Sequence, residues 1–223
     1  MIANNKELEV LRENAKIHKE VFEEIKKIIK PITGYDVDKL ADIADKYNVL
    51  CFKVYFPANL CVSVNDCVVH VPSKNMVFKE DVVKFDFIKD KKYLNTDAAF
   101  TTIIDGVENL EVKKFLKVVE EALYKISKAT TNRVDIAAIQ KHIESNYHIV
   151  KELSHVYKLH EKPYINNFKE TEILKENMIL AIEPIVGFSS KIIDKDFEIY
   201  IADGSLAQFE HQICVKSYPE IIV

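Results

Sequence analysis

Four carboxylates stand where an apolar strand would ordinarily carry a branched aliphatic residue. Asp86 lies in the 82–88 run, Asp97 precedes the 98–104 run, Glu183 interrupts NMILAIEPIV and Glu210 interrupts LAQFEHQICV. A charged side chain in such a run is rarely buried unless it is paired or bound to a cation. With the turn between the first two runs centred on Lys91 and Lys92, Asp86 faces Asp97 directly across a hairpin, their Cβ atoms about 5 Å apart. Two ionised carboxylates at that distance repel and desolvate each other, so one takes a proton or a cation lies between them. A solvated strand face accounts for one such residue. Four of them, with a histidine available, point to a carboxylate-rich dinuclear metal centre of the kind used for hydrolysis.

The alternatives are poorly supported. The sequence contains no Gly-rich phosphate loop, no HExxH, no GxSxG and no nucleotide fingerprint. A net charge of −4, and aromatic residues that are not interleaved with a basic stripe, give no reason to expect a nucleic-acid partner. No apolar run reaches the length of a membrane helix and the N-terminal stretch is charged from Lys6 onward, so no membrane partner and a cytoplasmic location are expected. Cys51, Cys61, Cys67 and Cys214 form no CxxC pair and lie in or beside apolar runs, which predicts buried free thiols.

The elements that must position the carboxylates are legible from periodicity. Leu8, Leu11, Ala15, Val21, Phe22, Ile25, Ile28 and Ile29 recur at helical spacing over 7–30 and Pro31 ends the run. Val37, Leu40, Ala41 and Ala44 predict a second helix over 36–47. Strands are expected at 50–55, 61–64 and 67–71, and His70 lies at the end of the last. The carboxylate hairpin follows, then helices over 108–128 and 134–145, then one strand over 177–186 and one over 206–215. At 223 residues, 48% hydrophobic, the chain is long enough for a substantial core. The order of two helices, strands, hairpin, two helices and strands suggests one α+β domain over 1–223, assembled from two similar halves.

The segments SVNDCVVHVPS, VFKEDVVKFDF with its second aspartate eleven residues on, LAIEPIV and AQFEHQICV resemble, in order and approximate spacing, those of the methionine aminopeptidases, single-domain members of the pita-bread metallopeptidases. The resemblance covers essentially the whole chain. It implies a pita-bread fold, in which a pseudo-twofold antiparallel sheet carries helices packed on its outer face. It also implies two divalent metal ions (Mn, Fe, Co or Zn) held by Asp86, Asp97, Glu183, Glu210 and a histidine. In the family that histidine sits in a glycine-rich segment, and a second histidine follows it to contact substrate. His160, before Glu161-Lys162-Pro163, matches the second; His155, in a shortened loop without glycines, is the preferred match to the first, with His148 as the alternative.

The activity implied is removal of the N-terminal methionine from newly made proteins by a metal-activated water. Asp86 would be a terminal ligand of one ion, Asp97 and Glu210 would bridge both, and His155 and Glu183 would complete the coordination of the other ion. Glu183 would move the proton, His70 would contact the substrate amide and His160 would steady the tetrahedral intermediate. Phe56, Cys61 and Phe209 are candidates for the lining of an apolar methionine pocket. The expected partners are N-terminal peptides of nascent proteins, met by a monomer working near the ribosome. The altered His155 loop and the four glycines of the chain leave a catalytically silent peptide- or protein-binding pita-bread module as the alternative. A hydrolase acting on C–N bonds next to proline is a third reading.

Overall fold

Asn4 starts the first helix, α1 (Asn5–Ile29). Its Oδ1 accepts the backbone N–H of Lys6 and of Glu7, while its own N–H donates to Glu7 Oε2 at 2.7 Å. This reciprocal arrangement satisfies donors that a helix N-terminus leaves open. The computed structural model describes residues 2–29, 35–36, 38–49, 61–68, 76–77, 81–91, 94–104, 110–129, 148–149, 154–156, 175–187, 192–195, 198–201 and 204–223. The helix expected over 134–145 and the strand expected over 50–55 lie outside them.

After α1 come β1 (Tyr35–Asp36), α2 (Asp38–Tyr47), β2 (Cys61–Val64), β3 (Met76–Val77), β4 (Val82–Lys91), β5 (Leu94–Ile103) and α3 (Leu110–Ala129). The second half contains β6 (His148–Ile149), β7 (Ser154–Val156), β8 (Ile179–Ile182), β9 (Ile185–Gly187), β10 (Ile192–Lys195), β11 (Glu198–Ile201), β12 (Leu206–Gln208), β13 (His211–Cys214) and β14 (Glu220–Ile221). All described pairings are antiparallel: β2-β4-β5 form one sheet, β14-β13-β8-β7 another and β12-β9-β6 a third. Among the described residues no helix is long and apolar enough to cross a membrane.

The β4–β5 hairpin is offset from the expected register. Lys91 pairs with Leu94, so Asp86 stands opposite Ala99 and Asp97 opposite Ile88. The two aspartates are therefore diagonal neighbours, not directly opposed. Aromatic packing accounts for the shift. The observed register sets Phe85 against Phe100, rings stacked with centroids 5.0 Å apart, and Phe87 against the small Ala98. The expected register would have separated that pair. Because the offset is two residues, side-chain alternation keeps both aspartates on the same face.

The opposite face of the hairpin receives α1. His18 stacks on Phe87 at 4.5 Å, and Phe22 meets Phe87 and Phe100 edge-on at 4.9 and 4.3 Å. The Asn14 amide donates to the carbonyls of Lys89 on β4 and Leu94 on β5, tying the helix to both strands. Burial of Phe85, Phe87, Phe100, Phe115, Ile25 and Leu123 in one apolar cluster makes this side the core, each large side chain contributing about 1.5–3 kcal/mol of burial. The carboxylate face is thus carried on a rigid backing.

The long runs around Glu183 and Glu210 are each two strands instead of one. β8 and β13 pair in one sheet, while β9 and β12 pair in another. Pro184, which has no backbone N–H to give a ladder, follows Glu183 at one break. At the other, the Glu210 N–H leaves this ladder and donates to Ala99 O of β5 at 3.0 Å. Both glutamates sit where the chain changes sheet.

Candidate metal centre

Alternation along β4 sends Val83, Phe85 and Phe87 to the core and Lys84, Asp86 and Ile88 to the other face. On β5 the corresponding residues are Thr101, Ala99 and Asp97. The Glu210 bond to Ala99 brings the second half of the molecule against this row. One carboxylate oxygen from each of Asp86, Asp97 and Glu210 lies within 4.8 Å of the others. Asp97 and Glu210 are 6% and 3% exposed, and Asp86 is half-buried.

Glu183 joins them through Gln208. The Gln208 side-chain amide donates to Asp86 Oδ2 at 3.2 Å and to Glu183 Oε1 in a shorter bond. Burial holds the Glu210 carboxyl well above the usual carboxylate range; the nearby charges of Glu183 and Asp86 push it the same way, and a hydrogen bond with Asp97 opposes them. Acids crowded in a dry site repel one another unless a proton or a cation offsets their charge. Hard oxygen donors at this spacing suit divalent ions. The residues present therefore fit a divalent metal centre.

The remaining candidates are distributed unevenly. Cys61 is opposite Asp86 on β2 and is buried, which puts it beside the carboxylates. It is disulfide-bonded, contrary to the expectation of free thiols, whereas Cys67 and Cys214 are free and buried as expected. Sequence spacing does not encode the Cβ separation on which a disulfide depends. Phe209 packs in the main apolar cluster, between Gln208 and Glu210, which turn toward the carboxylates. His211 likewise turns elsewhere, its Nδ1 3.0 Å from the Ser127 hydroxyl of α3.

His155 is opposite Ala181, two residues before Glu183 on the neighbouring strand β8. His148 pairs instead with Gly187 of β9, in a different sheet. His70, His160 and Phe56 lie outside the described residues.

Three further polar residues, absent from the sequence-based expectations, face this region. Lys84 is 1% exposed, donates from Nζ to Asn65 O at 2.8 Å, and is pushed down to about 7 by burial. Thr101 and Gln208 are buried beside it on the same layer. The signal for Lys84 and Gln208 was the one that flagged the carboxylates, a polar residue in an apolar run, two positions from Asp86 and Glu210 respectively.

A profile of metallopeptidase family M24 matches residues 9–217. A methionine aminopeptidase of Clostridium acetobutylicum is 34% identical over 245 residues, covering 100% of this chain and 98% of the relative. Methionine aminopeptidase 1 of Bacillus subtilis is 32% identical over 231 residues, with 94% and 93% covered. Among solved structures, a methionine aminopeptidase from Thermotoga maritima superposes with a TM-score of 0.88 at 28% identity, covering 100% of this chain and 98% of the other. A prolidase from Pyrococcus horikoshii reaches 0.79 at 18% identity; this chain spans 62% of its length, and the likeness is one of fold alone. The architecture is the pita-bread fold, α+β with antiparallel sheets. With an acidic metal-binding cluster at its centre and full-length similarity on both counts, the chain belongs to the methionine aminopeptidases of metallopeptidase family M24.

Proposed function

We propose that the chain hydrolyses the first peptide bond of peptides and proteins that begin with methionine, at the carboxylate cluster around Asp86, Asp97 and Glu210. The convergence of those oxygens within 4.8 Å carries the reading. When bound, two divalent ions supply an acidified water nucleophile and polarise the scissile carbonyl.

The chain's own residues do the rest. Asp86, Asp97, Glu183 and Glu210 would hold the ions. His155 would be the nitrogen ligand; what supports this is its backbone pairing with Ala181, on the strand that ends one residue before Glu183. Glu183 is half-buried at the rim of the cluster, so it can exchange a proton with the departing amide nitrogen while Asp97 and Glu210 remain shielded. His70 contacts the substrate amide and His160 steadies the tetrahedral carbon. Cys61, buried beside Asp86, lines the pocket for the methionine side chain.

On this reading the natural substrates are N-termini of newly made proteins, met in the cytoplasm near the ribosome by a monomeric single-domain enzyme. A module that only bound peptides would have no use for the crowded acids, whose mutual repulsion destabilises the fold unless a cation offsets it. The test is release of free methionine from a Met-Ala-Ser peptide by the purified protein with Mn, Co or Fe. Turnover that disappears on chelation and in Asp97→Ala supports the reading. Measured metal binding without methionine release overturns it.

A further inference from the structure

The Gln208 side chain is buried, and its hydrogen bonds tie it to both halves of the carboxylate cluster. Its residue is 1% exposed. Its backbone N–H donates to Thr101 Oγ1 at 2.8 Å, and the same hydroxyl donates back to Gln208 O at 2.6 Å. This closed pair fixes the main chain of β12 to β5, leaving the side chain few ways to move. From that position the side-chain amide nitrogen, Nε2, reaches two carboxylates in different halves of the molecule: Asp86 on the β4–β5 hairpin and Glu183 at the break between β8 and β9. An amide nitrogen has two hydrogens, so it can serve both at once.

We propose that Gln208 is a positioning residue that couples the two metal positions, fixing Asp86 and Glu183 relative to each other so that occupation of one position orders the ligands of the other. The inference rests on the metal reading above. In that reading Asp86 and Glu183 are terminal ligands of different ions, whereas Asp97 and Glu210 are shared. The shared carboxylates join the two positions only once ions are present. The amide joins them without any ion, and it does so as a neutral donor that leaves the negative charge available for the metals. A lysine or arginine here would also bridge two carboxylates, but its charge would compete with the ions it was meant to help. Outer partners of this kind typically alter metal affinity 10- to 100-fold. Thr101 acts one step further out, through the main chain of Gln208.

Binding of Mn(II) to the chelator-stripped full chain, followed by calorimetry and by electron paramagnetic resonance, tests this in wild type, Gln208→Met and Thr101→Val. The first variant keeps the length and removes the donors; the second keeps the shape of the threonine and removes the clamp. Wild type is expected to show the spectrum of a spin-coupled Mn pair after two equivalents. Gln208→Met is expected to bind at least about tenfold more weakly and to give the six-line spectrum of separated ions at the same loading. Thr101→Val is expected to shift both readouts in the same direction by less, and it serves as the deciding variant if Gln208→Met does not fold. A merely structural glutamine would alter the melting temperature and leave the pair spectrum intact. A coupled pair with wild-type affinity in the folded variants overturns the inference, while failure of the wild type itself to bind Mn overturns the metal reading beneath it.

Discussion

Glu183 and Glu210 occupy matched positions in one interrupted ladder. Ile182 pairs with His211 on one side of the break, Ile185 pairs with Gln208 on the other, and the same register runs through both. The two glutamates therefore face each other where backbone pairing lapses. They complete what the Asp86–Asp97 diagonal begins on the other hairpin, so each half of the molecule contributes a pair of acids from adjacent strands.

Removing the charge at the most buried of these acids should separate stability from function. The carboxyl of Glu210 is raised in the metal-free fold, so its contribution is fully present below the ordinary carboxylate range and is lost as pH rises through its folded value. Metal-free Glu210→Gln is expected to lose less stability than metal-free wild type between pH 5 and pH 8 in urea unfolding, while methionine release falls to background. A steeper loss in the variant would show that Glu210 is not under charge stress.

His18 gives a pH dependence of the opposite sign. The ring is fully buried, its Nε2 2.7 Å from Thr96 O, and burial lowers it to about 4, with Lys89 adding to the effect. The carbonyl acceptor requires the proton on Nε2, so the neutral imidazole is the donor. Its contribution is complete above the ordinary histidine range and is lost as pH falls toward 4, amounting to about 3 kcal/mol over that window. His18→Gln is expected to flatten the stability profile between pH 6.5 and pH 4; an unchanged slope would remove His18 as the source.

The hairpin register depends on the Phe85–Phe100 stack, and its loss should be felt at the metals. Phe100→Ala is expected to cost about 3–5 kcal/mol in chemical denaturation. It should also weaken Mn binding, because the strand that presents Asp97 loses its alignment. A large loss of stability with unaltered Mn affinity would show that the register is held by other contacts.

Much of this centre was legible because charge in an apolar strand has few physical explanations. Asp86, Asp97, Glu183 and Glu210 were visible for that reason alone, and alternation preserved their common face even though the expected hairpin register was off by two. What periodicity does not carry is the choice among registers of equal parity, which ring stacking decides here. Nor does it show that the two C-terminal runs divide between sheets, since the break depends on a partner strand as well as on Pro184. Gln208 carries no charge and Lys84 carries the sign opposite to the acids, so neither belongs to the carboxylate pattern, although both break an apolar run in the same way. The pairing of Cys61 depends on a distance that composition cannot express. His70, His160, Phe56 and the 134–145 helix remain expectations, as they fall outside the described residues.

The most direct test is anomalous diffraction from crystals of the manganese-loaded protein, collected on both sides of the manganese edge. Two peaks are expected in the cluster, both within coordinating distance of Asp97 and Glu210, one of them also at Asp86 and the other at Glu183. No peak among these four carboxylates, in crystals that hold manganese elsewhere, would contradict it.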